Sequence, residues 1–332
     1  MCLYNIKHLK RNITIAIIFC SVLFTACTGY KKSHQALLHD KSYCNKQQLI
    51  AYTAADLPKP FYTLQPDTLL TSRFSAQSLN MANAIGITAL LTTYTRQCID
   101  SNTHLNINKR LNLIEQLLHI NHRINLASLE VSAIAGELDC EEERANQFAA
   151  YLKEKEAKTE NKLIISSIIL GAAGAISAEI ISNNSSNANF VSGFIIGVSL
   201  AEASLGALML VNKKQIEFIH KDNALTDIRT HATVSNYFPP AIWYYLNYEN
   251  TQKGEKSLAK LLVEKWQLFG QVSENIESAD HALFELYFGK GGTYNADQLQ
   301  NRADMLDQTQ AYVTLMKQDL KNLAYEIELL KK

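Results

Sequence analysis

Residues 113–152 read LIEQLLHINHRINLASLEVSAIAGELDCEEERANQFAAYL and carry the most regular hydrophobic pattern in the chain. Steps of three and four alternate along it, and Glu141 is the only polar residue on the stripe. The apolar members are Leu113, Leu117, Ile120, Ile124, Ala127, Val131, Ile134, Leu138, Ala145, Phe148 and Leu152. This repeat is typical of a helix that packs in the manner of a coiled coil. We expect residues 106–182 to form either one long helix or two helices that meet near Gly136 or Cys140.

The C-terminal part of the chain repeats this pattern. One helix is predicted from the apolar positions Leu258, Leu262, Trp266, Phe269, Ile276, Ala279 and Leu283. The last helix is predicted from Leu299, Ala303, Leu306, Val313, Met316, Leu320, Leu323, Ile327 and Leu330. The glycine-rich run 289–293 is interpreted as the connection between them, because it lacks the spacing of a phosphate-binding loop.

Two further observations favour long helices. Proline is absent between Pro66 and Pro239, and proline is the residue that most strongly interrupts a helix. Another helix is predicted over residues 78–98, and alternating strand patterns are not found. The sequence therefore predicts an all-α fold, an elongated antiparallel helical bundle or coiled coil. An aromatic cluster after Phe238-Pro239-Pro240 is interpreted as core packing, with an interfacial belt as the alternative.

Residues 163–212 form a central hydrophobic segment rich in Gly, Ala and Ser. Residues 163–182 contain Glu179 as their single charge, and residues 190–211 contain Glu202 as theirs. Both runs are long enough to cross a bilayer as helices. Small residues lie four apart in each run, at Gly171 and Ala175 and again at Gly193 and Gly197, which favours close helix packing. We expect a helical hairpin that contacts a membrane or a partner. The alternative is a hairpin buried in the core.

The first 27 residues have the pattern of an export signal. Basic residues precede an apolar run from Ile13 to Phe24, and the run is too short to span a bilayer. The sequence Leu23-Phe24-Thr25-Ala26-Cys27 resembles the bacterial lipobox, although Phe24 stands where that family usually has Leu. The resemblance implies cleavage before Cys27, acylation of Cys27 with palmitate-type chains, and a lipid-anchored protein of the bacterial cell envelope. Thr28 favours outer-membrane sorting by analogy. The alternative is an ordinary secretory signal.

Charge and cysteine content narrow the functional classes. The chain has 32 basic and 32 acidic residues, so it shows no electrostatic signature of nucleic-acid binding. Three cysteines remain after Cys27, namely Cys44, Cys98 and Cys140, and in an oxidising compartment we expect one disulfide and one thiol, with the pair left open. No catalytic, cofactor-binding or metal site is predicted.

The predicted organisation has three parts. Residues 1–26 are the signal peptide, 27–70 are a lipidated tether with a proline-containing strap, and 71–332 are the helical bundle. We expect a non-enzymatic envelope lipoprotein whose hairpin engages a membrane or partner. The alternative is a scaffolding bundle that forms a homo-oligomer through its heptad faces. Over roughly residues 105–235 the layout also resembles helical pore-forming toxins of the cytolysin A and haemolysin BL group. The predicted lipid anchor differs from the secreted form that is usual in that group.

Overall fold

The structure is a computed structural model that describes residues 44, 51–65, 67–100, 106–184, 204, 213–220, 222–250, 253–272 and 281–330, without the side chains of Asp100 and 169–184. These residues all belong to one compact unit, Ser42–Lys332. The described part is mostly helical, as predicted. Its helices are α1 Thr68–Thr71, α2 Ala76–Ala84, α3 Thr88–Asp100, α4 Ile107–Asn184, α5 Ala224–Thr230, α6 Pro240–Asn247, α7 Leu258–Leu268, α8 His281–Phe288 and α9 Ala296–Leu329. Single 3-10 turns at Ala54–Asp56 and Phe61–Thr63 interrupt the proline-containing strap.

Helix α4 is continuous through Gly136 and Cys140, so of the two alternatives left open by the sequence the single long helix is the one observed. Its stripe is buried at Ile120, Ile124, Ala127, Val131, Ile134, Leu138, Ala145 and Leu152. The predicted stripe of α9 is likewise buried from Leu299 to Ile327. Gln300 and Gln310 of α9 donate hydrogen bonds to Asn146 and Asp139 of α4 at 3.0 and 3.3 Å. Later residues of α9 thus contact earlier residues of α4, so the two helices are antiparallel.

Glycines divide two of the predicted helices. The helix expected over residues 78–98 is α2 followed by α3, because Gly86 adopts a φ of 71° between them. The helix expected from Leu258 to Leu283 ends at Leu268, and Gly270 there has a φ of 70°. A left-handed glycine just after the last turn satisfies the free carbonyls and stops the helix. The apolar pattern continued across both breaks, which is why it overestimated the helix lengths.

A small antiparallel sheet is the main departure from the predicted all-α fold. Strand β1, Gln215–Ile219, pairs with β2, Gly291–Asn295, so that Phe218 faces Gly292 and Ile216 faces Tyr294. Residues of β1 alternate between exposed and buried over only five positions. The glycine-rich run interpreted as a loop supplies β2. Asn295 then caps α9 in a reciprocal capping box with Gln298.

The cysteine and aromatic predictions have clear outcomes. Cys44 and Cys140 form a disulfide, and Cys98 lies outside it. The disulfide therefore joins the segment before the strap to the middle of α4. Phe238 and Trp243 are fully buried and stacked with ring centroids 5.6 Å apart, which confirms core packing for the aromatic cluster.

Candidate functional site

The first arm of the predicted hairpin is the end of α4. Leu152 is its last buried residue with a described side chain, and every described side chain from Lys153 to Ile168 is exposed or half-buried. From Leu152 to Asn184 the helix rises ~48 Å. We call residues 153–184 the arm. The arm extends α4 beyond Leu152, the last residue of the helix that is buried in the hydrophobic core. We call the remainder of the described protein the body.

Three isoleucines give the arm an apolar face. Ile164, Ile165 and Ile168 lie three and four residues apart, so their side chains share one side of the helix. Ile165 is 58% exposed and Ile168 is 64% exposed. Isoleucine is normally among the most buried residue types, so this group is an exposed apolar patch on the described surface.

Only three of the predicted site residues have a described backbone, and none of them has a described side chain. Gly171, Ala175 and Glu179 lie on the backbone of the arm, where the predicted helix is confirmed, but their side chains are outside the described residues. Cys27, Gly193, Gly197 and Glu202 also lie outside the described residues. Within the described residues, we find no helix whose length and apolar character would let it cross a bilayer.

The chain leaves and re-enters the body at one place, which we call the base. The backbone N–H of Lys214 donates to Oε1 of Glu156 at 2.7 Å. Beside it, Nζ of Lys213 lies 2.8 Å from a carboxylate oxygen of Asp297 in the first turn of α9. This ion pair lowers the pKa of Asp297 and raises that of Lys213. The start of the arm and the return of the chain are therefore adjacent, as a hairpin requires.

Strand β1 follows the base directly and is fixed to α4 by Arg144. The guanidinium bonds the Glu141 carboxylate at 2.6 Å and donates to the carbonyl of Ile219 at 3.2 Å. It also lies 4.0 Å from the centroid of the Phe218 ring. Phe148 of α4 meets that ring edge-on at 5.5 Å. These contacts position the returning strand against the same helix that forms the arm.

A buried polar cluster continues from Arg144 towards α9. Arg302 is almost fully buried and donates to the carbonyl of Tyr287 at 3.0 Å and to Oδ1 of Asn223 at 3.3 Å. Nε2 of His220, the residue after β1, lies 3.2 Å from the hydroxyl of Tyr294 in β2. The cluster thus ties the returning strand to α9 and to the residue that precedes α5.

Burial determines the charge states in this cluster. Burial, reinforced by the positive charge of Arg302, lowers the pKa of His220 to about 2, so this imidazole is neutral near pH 7. Burial raises the pKa of Tyr294 to about 12. It lowers the pKa of the Arg302 guanidinium, while Tyr294 and Glu141 act in the opposite direction. Among the described residues, Nδ1 of His220 and Nε of Arg302 have no hydrogen-bond partner.

The cluster connects structural elements. Its polar atoms bond mainly to backbone carbonyls and to each other, across α4, β1, β2, α8 and α9. In the part of the chain with described side chains, no group of three or more metal-binding side chains comes together. The arrangement can hold the base rigidly, which is what an extended arm requires of its support.

Sequence reasoning missed Arg144, His220 and Arg302, although one signal was present. Glu141 interrupts the apolar stripe of α4, and a carboxylate at a buried position requires a basic partner. Arg144, one turn later, is that partner.

No protein-family model matches this chain. Comparison with the curated proteins and with the solved structures also found no match.

Proposed function

We propose that this protein is a non-enzymatic, lipid-anchored protein of the bacterial cell envelope that engages a membrane or a partner through hairpin 163–212. The observation that carries the proposal is the exposed apolar face of the arm at Ile164, Ile165 and Ile168. An apolar face beyond the core would be covered by lipid or by another protein. A base closed at Glu156 and Lys214 supports presentation of the segment as one unit.

The proposed compartment rests on two independent features. The lipobox-like sequence ending at Cys27 supplies an anchor, since several acyl chains hold a protein on a membrane far better than one. The Cys44–Cys140 disulfide supports export, because disulfides persist in oxidising compartments and are rare in the cytosol. Outer-membrane sorting follows from Thr28 by analogy only.

The proposed architecture is an elongated antiparallel bundle with the hairpin at one end. The antiparallel contact between α4 and α9 supports it, as does the heptad spacing of the buried residues on both helices. In this arrangement the part of α4 that carries the buried stripe, which includes the disulfide at Cys140, precedes the arm along the helix.

The anchor is tested by metabolic labelling with a palmitate analogue. We expect the full chain to incorporate the label and Cys27→Ser to lose it while still being exported. Equal labelling of both proteins, or no labelling of either, would overturn the lipid anchor and leave the hairpin proposal untouched.

The hairpin is tested in the Cys27→Ser background, which removes the anchor. We expect this protein to float with vesicles of phosphatidylethanolamine and phosphatidylglycerol, and Ile165→Glu with Ile168→Glu to abolish flotation. Leu129→Glu is the matched control, because Leu129 is equally exposed on α4 but lies outside the arm. Failure of the Cys27→Ser protein to float, or equal loss from the control, would rule out membrane contact by the arm.

A second candidate function is scaffolding by self-association. Ile107, Leu111, Ile114 and Leu118 of α4 are each more than half exposed and repeat the heptad steps of four and three. Such a stripe fits a helix from a second copy. We expect analytical ultracentrifugation of the Cys27→Ser protein to show a dimer that Leu111→Glu with Leu118→Glu dissociates. A monomer at high concentration would exclude this function.

A further inference from the structure

The exposed apolar stripe at the start of α4 has the register of a coiled coil. Its steps of four, three and four residues place isoleucine at the d positions of a heptad and leucine at the a positions. The members are Ile107, Leu111, Ile114 and Leu118, and each is more than half exposed. Asn125, at the next a position, is exposed as well. This stripe lies on a different side of α4 from the buried one, so the helix can pack on the body and on a second helix at once.

The charges beside the stripe are complementary to those of a second copy that runs in the same direction. Arg110 takes a g position and Glu115 takes the e position five residues later, and both residues are exposed. In a parallel pair in register, each g side chain meets the e side chain of the following heptad on the other helix. Arg110 of each copy thus faces Glu115 of the other, which gives two ion pairs. An antiparallel pair sets g against g and e against e, so it keeps Arg110 away from Glu115.

The body limits this assembly to two strands. Leucine at a with isoleucine at d favours three or four strands when nothing else intervenes, whereas an asparagine at a, here Asn125, fixes the register and the number of strands. In a coil of three or four strands, each helix turns its e flank to one neighbour and its g flank to another. The g flank of α4 is closed at Ile124, which is buried in the body. The start of α4 therefore has room for one partner helix.

We propose that two copies of the chain pair in parallel and in register through residues 107–125 of α4, with Arg110 of each copy bound to Glu115 of the other. This pairing rests on the self-association proposed above and specifies its geometry. Because α4 is continuous from Ile107 to Asn184, a parallel pair presents both arms at the same end. Two arms then reach one membrane or partner surface together, and the second contact forms at a high effective concentration.

Sedimentation equilibrium of the Cys27→Ser protein tests the two ion pairs. We expect Arg110→Glu and Glu115→Arg each to weaken dimerisation about tenfold, because two attractive contacts per dimer become two repulsive ones. The double change Arg110→Glu with Glu115→Arg reverses both charges and should restore the dissociation constant of the parent protein. Lys109→Glu is the matched control, because it makes the same change of charge at the neighbouring exposed residue, on the side of α4 that faces away from the stripe. It should leave dimerisation unchanged.

Cross-linking tests the orientation in the same protein. Leu111→Cys and Leu118→Cys, made singly, should each give a disulfide-linked dimer on mild oxidation, because equivalent residues of a parallel pair lie opposite each other. The two positions are ~10 Å apart along the helix. An antiparallel pair with one position at its axis would separate the other position from its counterpart by ~21 Å, which no disulfide can bridge. The parent protein, which carries Cys98, is the control for cross-links outside the stripe.

Two results would overturn the parallel pairing and leave self-association in place. One is a dimer that responds equally to Arg110→Glu and Lys109→Glu. The other is a dimer that cross-links at only one of the two cysteine positions, or at neither. A monomer at high concentration would remove self-association itself, and the parallel pairing with it.

Discussion

Substitution of Arg144 by Met should destabilise the body by about 3 kcal/mol. The side chain bonds the Glu141 carboxylate, and both side chains are only 17% exposed. Loss of one partner of a buried pair costs about 3–5 kcal/mol. Because the Glu141 side chain keeps some exposure to water, we expect a loss at the lower end of this range. The lost bond to the Ile219 carbonyl and the contact with the Phe218 ring act in the same direction.

Urea unfolding followed by far-UV circular dichroism measures this effect. With a slope of about 3 kcal/mol per molar urea, the midpoint should fall by about 1 M. Arg96→Met is the matched control, because Arg96 pairs with Asp67 at a similar distance but is 62% exposed. Exposed pairs contribute about 0–1 kcal/mol, so its midpoint should barely move. Hydrogen exchange at the β1 amides should accelerate in Arg144→Met alone.

The same reasoning predicts coupling between the two members of the pair. Glu141→Gln with Arg144→Met should cost less than the sum of the single changes, because the interaction between Glu141 and Arg144 is counted in both single changes and can be lost only once. Equal destabilisation by Arg144→Met and Arg96→Met, or strict additivity with Glu141→Gln, would refute the assignment of Arg144 as the support of β1.

The remaining predictions concern stability. His220 is neutral when folded but has an ordinary pKa when unfolded, so stability should fall as the pH drops below about 6.5, by about 1.5–2 kcal/mol at pH 5. Urea titrations at both pH values should show this loss, and His220→Gln should reduce it; an unchanged pH dependence would contradict the assignment. Gly291→Ala should cost more than 1 kcal/mol, because Gly291 has a φ of 89° and an added Cβ would lie 2.3 Å from a backbone oxygen of β1, whereas Gly136→Ala, with open space, should stabilise α4 by about 0.5–1 kcal/mol. Thermal unfolding measures both changes, and the same sign for the two would count against the strand geometry. Reduction of Cys44–Cys140, which closes a loop with a separation of 96 residues, should cost about 2–4 kcal/mol; a melting temperature unchanged by reductant would contradict the disulfide.

The long helices were predictable because their signal is local and repeated. Apolar positions at alternating steps of three and four persist from Ile120 to Leu152 and from Leu299 to Ile327, and every such turn adds evidence for the same face. Proline is absent from both ranges. The pattern did not locate helix ends, because Gly86 and Gly270 stop helices through their backbone conformation while apolar residues continue on either side.

The sheet was not predictable in the same way. Its two strands are five residues each and lie far apart in the chain, so neither has a pattern long enough to be distinguished from a helix or a loop. Gly291 reads as a turn residue in isolation. Its role becomes clear only opposite β1, where a larger residue would collide with the backbone.

The candidate site shows the same division between local and distant information. The apolar arm could be predicted from composition alone, and its helical start is confirmed to Asn184. The base and the cluster around Arg302 depend on residues from α4, β1, β2 and α9 meeting in space. In the sequence, only Glu141 indicated that such a cluster exists, because it is a polar residue on an otherwise apolar stripe.

The contact between Glu156 and Lys214 makes the intervening segment an insertion whose two junctions touch. Excising residues 157–213 and joining the ends with a short flexible linker would leave the register of β1 with β2 and the pairing of α4 with α9 intact, since insertions tolerate removal where their ends are close. The segment is in this sense a cassette. Its length and sequence could therefore be changed by design while the remainder folds as before.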